Sequence, residues 1–343
     1  MRAVVAHAAK DIRIEQAPEQ PFGERDVRVR IAFGGICGSD LHYFNHGGFG
    51  VVRLREPMVL GHEIAGIVEA VGGVVQRVKV GDRVAISPSL PCNHCRYCLE
   101  GRQNHCLDMR FYGSAMRFPH VQGAFREALV CDEEQAHRVA DGVSLGEAAL
   151  AEPLSVCLHA IRRAGSLLGK RVLVTGAGPI GALVTIAARR AGAAEIVITD
   201  IADGVLAFAQ RIGADRAINT ARDAEALSAY GQDKGYFDVL FEASGAAAAV
   251  RSAIEVVRPG GIFVQLGLGG EMTLPMNAIV AKELEIRGSF RFHEEFAMAV
   301  ELIGKGLVDV KPLISATLPF TKAREAFDLA NDRSRSMKVQ LEF

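Results

Sequence analysis

Apolar and polar positions alternate in short runs through the first part of the chain. VRVRIAF (27–33), EIAGIVEAVG (63–72) and RVAIS (83–87) are rich in β-branched residues and are cut off by Gly and Pro. This pattern predicts short strands in a β-rich domain over residues 1 to about 143. From residue 171 the rhythm changes. RVLVT, PIGALVTIAARRAG, EIVIT and GVLAFAQRIG alternate strand and helix periods, with FDVLFEA and IFVQLG as later strands. Such alternation builds a doubly wound parallel sheet flanked by helices, an α/β domain of the Rossmann kind. Further on, EFAMAVELIGKG (295–306) has the spacing of an amphipathic helix. The tail from residue 314 ends in the strand-like KVQLEF and is expected to rejoin the first domain. No repeat or Pro-rich linker intervenes, so a working cleft between two domains is expected.

The 343 residues suffice for two domains, each with its own core. Hydrophobic residues at 49% and charged residues at 23% describe an ordinary globular protein. A net charge of -1 removes the electrostatic footprint expected of a nucleic-acid or anionic-membrane binder. No apolar run reaches the roughly 18 residues of a membrane span, and MRAVVAHAAKDIRIEQ lacks the apolar core of a secretion signal. A cytoplasmic protein with reduced thiols and no membrane partner is therefore expected.

RVLVT runs into Gly176, Ala177, Gly178, Pro179, Ile180 and Gly181, a G-x-G-x-x-G turn that opens a helix. The first glycine permits the tight turn, the second lets the backbone approach a pyrophosphate, and the third allows close helix–strand packing. Such a triplet alone also joins strands to helices for structural reasons. Here the next strand ends at Asp200, near the offset expected of a carboxylate that hydrogen-bonds an adenosine ribose. Strand, glycines, helix, second strand and acid in order point to a dinucleotide, and a carboxylate that repels a 2′-phosphate favours NAD over NADP.

Seven cysteines is an odd count, and four of them form Cys92-x-x-Cys95-x-x-Cys98-x7-Cys106. That spacing suits a closed, four-thiolate structural zinc better than a disulfide framework. His94 and His105 lie among them and read as surface residues, because four thiolates saturate zinc. Three further pieces offer mixed ligands: Cys37 in GGICGSDLH, His62 and Glu63 in LGHE, and Glu152 in LAEPLS. Together they supply a thiolate, an imidazole and carboxylates, a set that holds zinc and leaves one position open.

These pieces, in this order and spacing, resemble the zinc-containing medium-chain dehydrogenase/reductase family over essentially the whole chain. The resemblance is closest to the polyol dehydrogenase branch, which carries Glu, as at Glu152, where related alcohol dehydrogenases carry Cys. Within the branch, GGICGSDLHY, PMVLGHE, DMRFYGSAMRFPHVQG, KGYFDV and RGSFRF are similar to the members that act on a sugar acid. The resemblance implies a β-rich catalytic domain of the chaperonin-10-like kind at 1–146, completed by 296–343, around a Rossmann domain at 147–295. It implies two zinc ions per chain, one catalytic and one structural, and a homodimer or homotetramer. Cys37 and His62 become zinc ligands, with the third position left open between Glu63 and Glu152. Cys131 and Cys157 match no ligand position and read as packing residues.

The expected reaction is oxidation of a secondary alcohol on a small sugar acid or polyol. Ser39 and His42 would carry the proton outward, although His42 reads equally as a surface imidazole. Tyr43, Arg110, Arg117 and Arg291 are candidate substrate contacts, since guanidinium forks match a carboxylate. Arg110 and Arg117 read equally as surface residues. The cofactor contacts are Gly176, Gly178, Pro179, Ile180, Gly181, Asp200, Leu266 and Arg291. One departure stands out: Val205 occupies the place where the branch often has a basic residue five positions past the acid. Rival readings are a sorbitol, xylitol or threonine dehydrogenase, a non-catalytic NAD binder, and a zinc-ribbon nucleic-acid protein. The last leaves the glycine turn unexplained.

Overall fold

Val27, Val29 and Ile31 alternate with Arg28 and Arg30, and strand Asp26–Gly35 buries the three apolar residues on one face. In the computed structural model, which describes residues 1–343, this strand is the centre of a seven-stranded sheet. Glu63–Val71, Ala128–Asp132 and Lys338–Glu342 all pair with it antiparallel. The sheet extends through Arg83–Ile86 to Ala136–Arg138 on one side, and through Lys338–Glu342 to Ile314–Pro319 on the other. Ile31, Phe44, Phe125, Phe327 and Leu341 pack into one apolar core with the strand. The sequence-distant Lys338–Glu342 is thus a central strand of the first unit.

That unit comprises Met1–Glu152, Phe292–Asp332 and Lys338–Phe343. The second comprises Pro153–Arg291 with Arg333–Met337, so the division falls inside helix Ala151–Ala164. The amphipathic segment after residue 294 forms helix Glu295–Gly304.

The second unit is a six-stranded parallel sheet with helices between its strands. Its spatial order is Arg216–Asn219, Glu195–Asp200, Arg171–Thr175, Phe237–Glu242, Val257–Gln265, Glu285–Gly288. The central strands are buried along most of their length, which is why RVLVT and FDVLF read as continuous apolar runs. The order reverses between Arg171–Thr175 and Phe237–Glu242. In doubly wound sheets a ligand binds at that reversal, beyond the carboxyl ends of the strands. No helix is long and apolar enough to cross a membrane.

Candidate active site

Strand register brings the reactive residues of the first unit together. Gly35 pairs with both Glu63 and Gln340, so the segments that follow Gly35 and precede Glu63 and Gln340 converge. Only glycine fits at position 35, because a Cβ there would lie 2.2 Å from a Glu63 carboxylate oxygen. Two residues later Cys37 caps helix Gly38–His46. Asp40, fully buried, accepts the Cys37 backbone N–H at 3.0 Å and the Gly61 N–H at 3.1 Å, tying the thiol's turn to the imidazole's. Ligand atoms of Cys37, His62 and Glu63 all lie within 4.8 Å of one another.

The electrostatics divide two buried carboxylates. Lys338 Nζ donates to both oxygens of Glu63 at 2.8 Å and to the Ile36 carbonyl at 3.1 Å. Burial works against the Lys338 charge, but Glu63 and Cys37 overcome it and hold its pKa above the usual lysine value. Glu152, on the first turn of helix Ala151–Ala164, shares the Lys338 charge only through space, without the direct hydrogen bonds that Glu63 receives. Burial pushes its carboxyl up to about 8; Glu63 and Cys37 add to the rise, while His62 and, less strongly, Lys338 oppose it. Burial likewise pushes the Cys37 thiol up to about 12, with the Glu63 charge adding. His62 Nδ1 is buried without a hydrogen bond, 3.8 Å from Asp40. A buried imidazole nitrogen without a hydrogen bond, beside a thiol and a buried carboxyl that no direct hydrogen bond from a cation holds, is costly unless a cation joins them. The donor set suits zinc.

Lys338 and Asp40 are the residues that sequence reading missed. Asp40 had a local signal, an acid three residues after the cap of a helix. Lys338 had none, because its role depends on strand pairing.

Ser39 and His42 are three residues apart on helix Gly38–His46 and therefore share a face. His42 is exposed, with its ring 5.7 Å from that of Phe49. Tyr43, expected among the substrate contacts, instead lies in the core at 2% exposure, its hydroxyl accepting the Ala115 N–H at 3.0 Å. Arg117 is paired with Asp108 at 2.5 Å. Arg110 lines a cavity that none of Cys37, His62, Glu63 or Glu152 lines. Arg291, in the second unit, has a left-handed backbone, φ 54°, and stacks over Phe290. Non-glycine residues adopt that conformation uncommonly, though Lys10, Asn93, Asp233, Lys234 and Glu283 share it here. Cys131 and Cys157 are buried.

Cys92, Cys95, Cys98 and Cys106 form a second cluster within 4.8 Å. Backbone N–H groups donate to sulfur from Cys92, Cys95, Leu107 and Asp108. The Leu107 N–H is the main reason the Cys95 thiol falls to about 6. Burial raises Cys98 to about 12. Four sulfurs with backbone donors aimed at them fit a closed tetrahedral zinc. His94 is exposed and its Nδ1 is 2.7 Å from the Cys92 carbonyl oxygen.

In the second unit, Gly176 adopts φ 88°, and Gly178 with Pro179 opens helix Pro179–Arg190. A Cβ on Gly181 would lie 1.7 Å from the Gly176 carbonyl oxygen, so the third glycine is required by packing. Ile180, half-buried, follows Pro179 in the first turn. Asp200 accepts the Ala177 N–H at 2.7 Å on one oxygen and those of Ile201 and Ala202 at 2.7 and 3.0 Å on the other. The acid therefore braces the glycine turn as well as presenting charge at the strand end. Val205 is buried, facing the sheet. The Leu266 N–H donates to the Glu242 carbonyl at 2.9 Å, fixing the loop after Val257–Gln265.

Comparison with known proteins shows the family. Residues 23–141 match the alcohol dehydrogenase GroES-like domain, and residues 179–305 match the zinc-binding dehydrogenase family. The chain is 44% identical over 316 residues to an L-idonate 5-dehydrogenase (NAD(P)(+)) of Escherichia coli strain K12, covering 92% of this chain and 91% of that one. It is 39% identical over 324 residues to a D-xylulose reductase A of Aspergillus oryzae, covering 92% and 89%. The crystal structure of L-idonate 5-dehydrogenase from Escherichia coli K-12 superposes with a TM-score of 0.95 at 42% identity, covering 100% of this chain and 98% of the other.

Proposed function

The chain belongs to the zinc-binding, medium-chain alcohol dehydrogenase family and is a dehydrogenase, and on that footing we propose that it oxidises L-idonate to 5-keto-D-gluconate with NAD. The observation that carries the reading is the convergence of Cys37, His62 and Glu63, with buried Glu152 electrostatically coupled to all three, in a chain this similar to L-idonate 5-dehydrogenase. We assign the catalytic zinc to Cys37, His62 and Glu152. Charge balance supports this choice, although Glu63 is the carboxylate that lies in the close cluster: a dication balances the Cys37 thiolate and Glu152, while Lys338 hydrogen-bonds both Glu63 oxygens and reaches Glu152 only through space. Glu63 remains the nearby carboxylate able to exchange. The second zinc belongs to Cys92, Cys95, Cys98 and Cys106.

A zinc held by Cys37, His62 and Glu152 would supply the Lewis acidity that lowers the pKa of the substrate hydroxyl, and a nicotinamide held at the glycine turn would supply the hydride acceptor. The protein's own share is positioning and proton traffic. Ser39 accepts the hydroxyl proton, and His42, on the same helical face, hands it toward solvent. Arg291 receives the sugar-acid carboxylate through its guanidinium fork and neighbours the nicotinamide. Gly176, Gly178, Pro179, Ile180, Gly181 and Leu266 form the dinucleotide cradle. The Asp200 charge, with Val205 in place of a base, favours NAD over NADP.

A sorbitol- or xylitol-type activity is the second reading, favoured by the identity to D-xylulose reductase A. We further assign a homo-oligomer, supported by the outer strand Glu285–Gly288 with exposed Ile286 and Val280 beside it. A cytoplasmic setting is supported by seven cysteines, none of them in a disulfide. The test is NADH or NADPH formation with L-idonate, D-gluconate, sorbitol, xylitol and L-threonine, each with NAD and NADP. A kcat/KM highest for L-idonate with NAD is expected. Preference for sorbitol or xylitol would overturn the substrate and leave the zinc assignment standing.

A further inference from the structure

Phe111 packs its ring 5.6 Å from the His62 ring, and its neighbours Arg110 and Tyr112 line a cavity of about 790 Å³. The division follows from the short strand Arg110–Phe111, in which successive side chains leave opposite faces. The volume falls in the range of small-ligand sites, and none of the metal-centre donors lines it.

Arg126 also lines this cavity and is only 3% exposed. Its Nε donates to the Gly123 carbonyl at 3.0 Å. Its terminal nitrogens make no hydrogen bond, yet they are not among the unpaired atoms sealed from solvent space. They open onto the cavity. No carboxylate offsets the charge: burial lowers the pKa of Arg126, and only the Tyr112 hydroxyl opposes that. A buried guanidinium without a counter-charge is unfavourable, and it is relieved when a ligand brings one.

The carboxylates that share the lining are committed elsewhere or lie at its edge. Glu15 contacts His7 at 3.1 Å, Asp26 accepts the Gly23 N–H at 2.6 Å, and Asp132 accepts the Glu134 N–H at 2.8 Å. Glu19 is exposed. Gln122 uses its carbonyl on the Val59 N–H at 2.8 Å, which leaves its amide N–H groups to donate.

We propose that this cavity is a regulatory site for a small carboxylate, gripped by Arg126 with Arg110 and the Gln122 amide beside it. A carboxylate is matched bidentately by the two unpaired terminal nitrogens of Arg126. A ligand that draws Arg110 or Tyr112 inward moves Phe111, and with it the packing of His62.

The test is calorimetric titration of succinate into the zinc-loaded full chain, with inorganic phosphate and sodium chloride at matched ionic strength for comparison. Saturable one-site binding of succinate is expected, with a shift of about twofold or more in the KM of the alcohol substrate. R126M should weaken binding by about tenfold or more, and leave zinc content and succinate-free turnover unchanged. R126K, which keeps the charge and loses the fork, should weaken it less, and serves if R126M does not fold. Binding no stronger than chloride, equal binding by R126M, or binding without a kinetic shift each overturns the proposal. A response to phosphate alone overturns the carboxylate assignment.

Discussion

Lys338 donates to both carboxylate oxygens of Glu63 at 2.8 Å in the interior of the first unit, across 275 residues of sequence. The pair is wholly buried, so its partners cannot fall back on water when one is lost. Lys338→Met should therefore cost about 3–5 kcal/mol of stability. Denaturant midpoints of the zinc-loaded native and variant proteins check this; a loss below about 1 kcal/mol would show that Glu63 finds another partner.

On the proposed reading of two zinc ions per chain, Glu152→Gln should remove one of them and lower turnover by about a hundredfold or more. Glu63→Gln should keep both ions. Metal analysis by mass spectrometry reads the difference, and the opposite pattern would move the third ligand from Glu152 to Glu63.

The same carboxyl predicts a pH dependence for metal-stripped protein. Its pKa is about 8 when folded against 4.5 when free, so the folded state binds the extra proton between those values. Stability contributed by Glu152 then falls as pH rises through that window, which is the reverse of an ordinary paired carboxylate. Urea midpoints from pH 5 to 8 should decline in stripped native protein more than in stripped Glu152→Gln. Parallel curves would sink the idea.

Cys95 should be the first thiol of the four-cysteine segment to react once zinc is removed. Its thiolate dominates above about pH 6, whereas Cys98 stays protonated to about 12. Peptide mapping after brief iodoacetamide treatment at pH 7 should find Cys95 labelled ahead of Cys98 and Cys106, and zinc should suppress the labelling.

Gly181→Ala places a methyl group 1.7 Å from the Gly176 carbonyl oxygen. Backbone must move, so the expected cost is about 1–3 kcal/mol together with a KM for NAD raised about tenfold. A native KM in a stable variant would show that the turn has slack.

Features carried by local spacing were legible in the sequence. The cysteine run and the glycine turn each place their atoms through a few dihedral angles, and strand Asp26–Gly35 announced its buried face through Val27, Val29 and Ile31. Features fixed by register were not. Nothing near Lys338 signals Glu63, and only pairing through Gly35 brings them together. Tyr43 misled because a polar tip on a large apolar ring suits a cleft and a core equally, and its hydroxyl here satisfies Ala115. The sequence left Glu63 and Glu152 as alternatives for a related reason: Lys338, whose charge reaches both carboxylates, is distant in sequence.

The pairing of Asp26–Gly35 with Lys338–Glu342 also sets a timetable. The four-cysteine loop closes over 14 residues, a short search for the chain. The other centre waits for a strand hundreds of residues away, and contacts so non-local form late. During refolding the two metal sites should thus mature separately, the knuckle early and the reactive centre near the end, so that a half-folded chain carries its structural ion before it has any means of doing chemistry.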